Sequence, residues 1–380
     1  MFNINIGIGV TIDGPGDNFF VNGIKQNCII LRDTLIKTGI VDNVYYVNFG
    51  KEIDYANSTW KEYLEHIISP KDALNCVNVL ISAGTFVSGE YLEAAHSKGI
   101  KLVTHVMGNE YYLLSERSLF RNDNNSFVKK TPHYSAVWIS PHLHETNKNL
   151  WEVITEAPVY IAPYIWSPQF LMQYVTELKK QGYNDVYIPN NNPSKRIGVF
   201  ESNINIVKTC IFPIIIGEKL YTNYSNDIDI FRVFNSNELV KNKDFVRYIH
   251  DLRIHKNSKL FFESRYPIAN VLLKHTDIVL SHQRDCGLNY LYFDAAWLGY
   301  PVVHNSKFVK ELGWYYGDFE ADEAVAHLHN IISTFDHSEQ LRKEYLQKSR
   351  EYISKFLPEH ERNVSGYRTL IERLMFSFKK

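Results

Sequence analysis

Apolar positions along this chain recur with two different periods, and the chain switches between them many times. Asn3–Val10 alternates and is rich in β-branched residues, which predicts a strand whose side chains leave on opposite faces. The polar stretch Thr11–Gly23, rich in Gly and Asn, predicts a loop, and Ile24 to about Lys37 predicts a helix. Further strands are predicted at Asn43–Asn48, Val77–Ser82, Ile100–Val106, Ala136–Ser140 and Pro158–Ile165, with helical stretches between several of them. Short strands alternating with helices predict a mostly parallel, doubly wound sheet, because parallel neighbours need a long crossover that a helix supplies.

The segment Tyr183–Ser194 (YNDVYIPNNNPS) breaks every periodicity and predicts a linker. Beyond it the strand pattern begins again at Arg196–Glu201, followed by Asp229–Asn235, Lys259–Glu263, Asp277–Leu280 and Val302–His304. After Glu320 the pattern is helical and charged through Lys380. This gives two α/β domains, 1–182 and 195–360, a linker over 183–194 and a last helix over 361–380. No internal sequence repeat is evident.

Composition narrows the class. At 380 residues the chain exceeds the usual single-domain size, in keeping with two domains. No apolar run reaches the length of a membrane span, so no membrane partner is expected. The opening MFNINIGIGV enters a strand pattern with no basic leader or cleavage site, so an unsecreted, cytoplasmic protein is expected. Cys28, Cys76, Cys210 and Cys286 lack metal-type spacing and lie mostly in apolar contexts; reduced core thiols and no metal are expected. The formal net charge is −1, with 15 Lys and Arg against 19 acids in 1–190 and 26 against 23 beyond. Neither half has the basic footprint of a protein that binds nucleic acid chiefly through phosphates, although a local patch can hide in a neutral total.

The most informative segment is Ser281–Asn305, SHQRDCGLNYLYFDAAWLGYPVVHN. An apolar strand runs into a polar loop and a Gly-Leu pair, and a helix carrying Asp294 then ends at Gly299-Tyr300-Pro301 before another strand. Such a unit aims a helix N-terminus at the carboxyl edge of a parallel sheet, where α/β folds bind ligands. His282, Gln283, Arg284 and Asp285 crowd the strand's end, and Asn289 and Tyr290 open the helix. Arg284 is a candidate phosphate clamp, with Gln283 and Asp285 suited to sugar hydroxyls. Helix capping by Asp285 is the competing account.

Two further constellations carry chemistry. In FESNINIVKT (200–209), Glu201, Ser202 and Asn203 fall where a helix N-terminus would turn its free N–H groups to an anion. Lys208 can reach a diphosphate as a point charge, or is an ordinary solvated lysine. In IDGPGDNFFVNGIKQN (12–27), Gly14, Gly16 and Gly23 allow close approach of a ligand. Asn18, Asn22, Gln26 and Asn27 supply uncharged donors and acceptors for hydroxyls or base edges. The glycine spacing is not that of the dinucleotide fingerprint. A structural loop with capping asparagines is the other account, and Phe19 and Phe20 either wedge beside a base or anchor the loop to the core. His105, in VTHVMGNEYY, ends a predicted strand.

Together FESNINIVKTCIFPIIIGE, SHQRDCGLNYLYFDAAWLGYPVVHNS and DNFFVNGIKQN resemble a family of bacterial and phage proteins similar to GT-B glycosyltransferases, from the first strand to about Phe319. The resemblance implies two Rossmann-like doubly wound domains with a cleft between them and a C-terminal helix crossing back toward the first. Nucleotide-sugar enzymes of this type hold the donor ribose with a carboxylate seven residues before the Pro, and Asp294 has that spacing before Pro301. Asp285 lies nine residues before Asp294, where the commonest retaining pattern has a Glu eight before, so the donor-sugar contacts do not carry over. Phage members of the family resemble the transferases that put arabinose on 5-hydroxymethylcytosine of phage DNA.

The resemblance implies transfer of a sugar, arabinose as the first choice, from a UDP-sugar. The second domain would hold the donor, with Asp294 on ribose, Lys208 and Arg284 at the phosphates, and Glu201, Asn203, His282, Gln283, Asp285, Asn289 and Tyr290 around them. The first would hold the acceptor near Asn18, Phe19, Phe20, Asn22, Gly23, Gln26 and His105. No metal or other cofactor is implied, since basic groups can stabilise a leaving diphosphate. An inverting reaction needs a base, for which Asp17, Asp13 and Glu110 are candidates in that order. The implied partners are the nucleotide sugar and double-stranded hydroxymethylated DNA, in the cytoplasm of an infected host, with the protein a monomer or weak dimer. A transferase acting on a surface polysaccharide or other glycan, and a non-catalytic nucleotide-sugar-binding module, both stay open.

Overall fold

The computed structural model describes residues 3–14, 16–51, 58–120 and 130–376. The chain divides into two compact units, 1–167 with 355–380, and 168–354. The first contains a seven-stranded sheet built from β1 (Asn5–Val10), β2 (Asn43–Asn48), β3 (Ile67–Ile68), β4 (Val79–Ala83), β5 (Lys101–Val106), β6 (Ala136–Ile139) and β7 (Val159–Ile161). Its order is β3-β2-β1-β4-β5-β6-β7, and every pairing is parallel. Burial is near-continuous along β1, β4 and β6, as expected of parallel strands covered on both faces, and β4 and β6 read as apolar runs for that reason.

The second unit carries β8 (Lys195–Val199), β9 (Ile228–Val233), β10 (Leu260–Phe262), β11 (Ile278–Leu280), β12 (Val302–His304) and β13 (Trp314–Tyr315). These form a six-stranded parallel sheet in the order β10-β9-β8-β11-β12-β13. The alternation of strand and helix thus yields two doubly wound α/β layers. The strand expected to reach Glu201 stops at Val199, and the next helix runs Ile211–Asn223. Glu201 to Asn203 are therefore loop residues, not the first turn of a helix.

The segment 183–194 lies within the second unit. The Tyr187 hydroxyl meets both carboxylate oxygens of Asp336 at 3.0 and 3.1 Å, and its N–H donates to Leu298 O at 2.7 Å. The C-terminal helix, Glu361–Phe376, belongs to the first unit, while positions 377–380 of the expected helix lie outside the described residues. Its Tyr367 hydroxyl donates to Pro163 O at 2.9 Å, and Arg368 Nε donates to Thr38 O at 2.9 Å. All four cysteines are free thiols; Cys28 and Cys210 are buried, whereas Cys76 and Cys286 are half-buried. Among the described residues no helix is long and apolar enough to cross a membrane.

Candidate functional site

In the second sheet the strand order reverses between β8 and β11, since β9 and β10 extend to one side and β12 and β13 to the other. The loops leaving the carboxyl ends of β8 and β11 diverge at that point, the place where open α/β sheets bind ligands. They are tied together by the Arg284 N–H, which donates to Val207 O at 2.8 Å. The second domain's predicted donor residues thus fall on two adjacent loops and the helix that follows the second.

The β8 loop is shaped by Asn203, which adopts φ 55°. Its Nδ2 faces the carbonyls of Glu201, Phe234 and Asn235 at 3.0 to 3.3 Å, and its Oδ1 accepts from Cys210 N–H at 2.8 Å. These bonds give Asn203 a folding role in the loop that carries Glu201 and Lys208. The β11 loop is pinned by Asn305, whose amide accepts the Gln283 N–H at 2.9 Å and donates to Gln283 O at 2.8 Å. Gln283 Oε1 in turn accepts from Cys286 N–H at 2.6 Å, so this side chain also serves the loop. Ser306 Oγ donates to Gly287 O at 2.5 Å, and a Cβ on Gly287 would stand 2.8 Å from that oxygen, which explains the glycine. Asn289, rather than Asp285, caps the helix Tyr290–Trp297 by accepting from Leu291 N–H at 3.3 Å. Asp285 is exposed with φ 47°.

Between these loops lies a buried polar core. Glu201 is 1% exposed, and its Oε1 accepts from Ser281 Oγ at 2.5 Å and from the His282 N–H at 3.0 Å. Burial raises its carboxyl to about 7, opposed by the Ser281 hydrogen bond, the Lys208 charge and the His282 N–H. His282 is buried beside Tyr316, with Nδ1 3.1 Å from the Tyr316 hydroxyl. Its ring packs against Phe212 and Phe319 at centroid distances of 4.5 and 4.9 Å, and burial lowers its pKa to about 4. Lys208 is half-buried and Arg284 exposed, and neither has a carboxylate within ion-pair distance among the described residues. Asp294 is half-buried within the helix Tyr290–Trp297, and Tyr290, also half-buried, is its first residue.

Sequence reasoning missed Ser281, Tyr292, Asn305, Ser306 and Tyr316, which hold this core together. Asn305-Ser306 was legible as a polar pair directly after the strand that ends at His304, at the edge of the Ser281–Asn305 segment. Tyr316 has no local signal.

In the first sheet the order reverses between β1 and β4, and the loop 11–22 leaves β1 there. Most of its polar side chains turn inward on the loop itself. Asn18 Oδ1 accepts from Phe20 N–H at 2.8 Å, and Asn22 Oδ1 caps the helix Gly23–Lys37 by accepting from Ile24 and Lys25 N–H at 3.1 and 3.3 Å. Gln26 Nε2 donates to Phe19 O and Phe20 O at 3.1 and 3.3 Å. Asp17, the first-ranked base, is ion-paired with Lys25 and accepts the Asp13 N–H at 3.3 Å. Phe19 is buried with its ring 5.5 Å from that of Trp60, which makes it a core anchor, while Phe20 is half-buried beside it. Gly23 is simply the first residue of the helix, and Asp13 is exposed. His105 is buried at the end of β5 with Nδ1 unpartnered and its pKa lowered to about 4 by burial. Burial also raises the carboxyl of Glu110, which begins the helix Glu110–Phe120.

The chain belongs to the DUF2827 family, described as proteins of unknown function, whose profile matches residues 6–371. No curated protein matches the sequence. Among solved structures, Anabaena Alr3699/HepE in complex with UDP and glucose is 14% identical, with a TM-score of 0.56 over 99% of this chain and 100% of that one. An α,α-trehalose 6-phosphate synthase from Burkholderia multivorans is 8% identical, with a TM-score of 0.55 over 98% and 96%. An O-GlcNAc transferase variant from Thermobaculum terrenum is 11% identical, with a TM-score of 0.53 over 98% and 67%. At such identities the likeness is one of fold, and the fold is GT-B.

Proposed function

We propose that this protein is a nucleotide-sugar-dependent glycosyltransferase that binds the donor diphosphate at the β8–β11 switch point of its second unit. The observation that carries the reading is the placement of Lys208 and Arg284. Two cations without ion-pair partners among the described residues stand on the two loops that diverge where such sheets bind ligands. In sugar transfer the bond from the anomeric carbon to the β-phosphate oxygen breaks, and the acceptor oxygen forms the new bond and gives up its proton. Negative charge builds on the departing nucleoside diphosphate, and fixed cations beside it stabilise the transition state more than the ground state. Asp294, on the helix that opens from the same loop, supplies a carboxylate for the paired hydroxyls of ribose.

The donor class is supported by likeness to a protein solved with UDP and glucose. The acceptor we infer is a glycan hydroxyl. The near-neutral charge favours it over a DNA duplex, and the loop 11–22 offers less to a flipped base than its sequence suggested, since Phe19 is buried and Asn18, Asn22 and Gln26 are engaged. Incubation with UDP-glucose, UDP-N-acetylglucosamine and UDP-arabinose should release UDP, with the sugar passing to oligosaccharide acceptors. Product mass on a hydroxymethylated duplex, measured in parallel, tests the arabinosylation alternative. Binding of UDP without any release from the sugars would identify a non-catalytic module.

A further inference from the structure

Glu201 is the buried carboxylate of the switch point, and its two oxygens are unlike. Oε1 accepts from Ser281 Oγ and His282 N–H, whereas Oε2 is buried with no hydrogen-bond partner among the described residues. The cation whose field offsets its charge is Lys208, on the same loop. We propose that binding of the donor diphosphate is coupled to uptake of a proton by Glu201, which acts as a positioning residue of the donor site. The proposal deepens the reading above and rests on it in one respect, that the diphosphate lies at Lys208.

The coupling follows from a shared cation. When Lys208 turns to the phosphates, an ionised Glu201 loses its compensation where water cannot replace it, and new negative charge stands nearby. A proton on Oε2 removes that repulsion. Oε1 meanwhile keeps both of its hydrogen bonds, so the β11 loop that carries His282 and Arg284 holds its shape. The other titratable groups facing Glu201 are out of range near neutrality. Burial pushes the Cys210 thiol up to about 12, puts the Tyr292 and Tyr316 hydroxyls well above their ordinary value, and lowers His282 to about 4. Glu201 itself, raised to about 7, is the group poised to take the proton.

Calorimetric titration of the full chain with UDP, with GDP and ADP in parallel, reads the proton count when repeated in buffers of different ionisation enthalpy. The terminal phosphate of these nucleotides also titrates, so the quantity of interest is the difference between wild type and Glu201→Gln. Wild type should take up about half a proton more at pH 7, and its affinity should fall more steeply with rising pH than that of Glu201→Gln, by up to about tenfold per pH unit. Equal uptake by two proteins that both bind overturns the proposal and leaves the donor reading standing. No binding of any nucleotide by wild type overturns the donor reading and the proposal with it. Should Glu201→Gln fail to fold, infrared difference spectra of wild type carrying isotope-labelled glutamate decide the matter. A carboxylic acid band must grow when UDP is added, and its absence overturns the proposal.

Discussion

Tyr316 fixes which ring nitrogen of His282 carries its proton. The Tyr316 hydroxyl donates to Ser281 O at 2.9 Å, a carbonyl that can only accept. Its oxygen, 3.1 Å from His282 Nδ1, must therefore accept there, so Nδ1 holds the hydrogen and Nε2 keeps a lone pair. Nε2 makes no hydrogen bond among the described residues, which leaves an oriented acceptor beside Phe212 and Phe319 at the switch point.

Tyr316→Phe should release this constraint. The substitution leaves Ser281 O and the His282 Nδ1–H without a partner, at a cost of about 1–3 kcal/mol for buried groups. Nitrogen-15 spectra of the imidazole should show the Nδ1–H tautomer in wild type and a mixture in Tyr316→Phe. A pure Nε2–H tautomer in wild type would sink the assignment.

Acid should destabilise both units. His105 in the first unit, and His282 and His304 in the second, are buried and neutral, each lowered by burial from an ordinary 6.5 to about 4. A histidine whose folded pKa is depressed contributes stability above its unfolded pKa and loses it as pH falls through the folded value. Buried and half-buried carboxyls run the other way: burial raises Glu201 to about 7, and raises Asp33, Glu110 and Asp336 as well. Their contribution is present below the ordinary carboxylate value and lost as pH rises through the folded one, but the three imidazoles outweigh them. Melting temperatures should therefore fall between pH 6.5 and 4, and the three imidazoles should fail to titrate above pH 5 in proton spectra. Ordinary titration near 6.5 by all three would contradict the structure.

Much of the fold was legible because parallel strands covered on both faces leave continuous apolar runs, as at Val79–Ala83 and Ala136–Ile139. The two-residue strands β3 and β13 were not, since so short a run carries no period. At the site, the sequence named Glu201 on the expectation that a helix begins there. The Asn203 turn delays that helix to Ile211, and Glu201 enters the buried core instead. Asn18, Asn22 and Gln26 show a different limit, because the same amides that suit a hydroxyl also cap a helix, and only the folded loop decides. Tyr316 was out of reach because its place beside His282 depends on the order of β11, β12 and β13 in the sheet.

Lys208→Ala and Arg284→Ala should each lower kcat more than they raise the donor KM. Their charges matter most when the diphosphate departs. Arg284 is exposed, so Arg284→Ala should melt close to wild type at any pH. Lys208 offsets the buried Glu201, so Lys208→Ala should melt close to wild type only at acid pH, where Glu201 is protonated. A loss of stability with kcat intact would make either residue structural.

Asp294→Asn tests the other end of the donor. The residue lies within the helix Tyr290–Trp297, whose Leu291, Tyr292, Ala295 and Ala296 are buried, so an isosteric amide should leave the packing intact. A carboxylate accepting from two ribose hydroxyls makes charge-assisted bonds, and the amide keeps one acceptor while turning a donor toward the other hydroxyl. The loss should be about 1.5–3 kcal/mol, the range for hydrogen bonds to charged groups, or roughly ten- to a hundredfold in UDP affinity. Removing the ribose hydroxyls gives the decisive comparison. Wild type should bind 2′,3′-dideoxy-UDP about as weakly as Asp294→Asn binds UDP, and Asp294→Asn should discriminate little between the two ligands. Should Asp294→Asn prefer UDP to its dideoxy form as strongly as wild type does, Asp294 is not the ribose contact, and the carboxylate belongs to the fold of its helix.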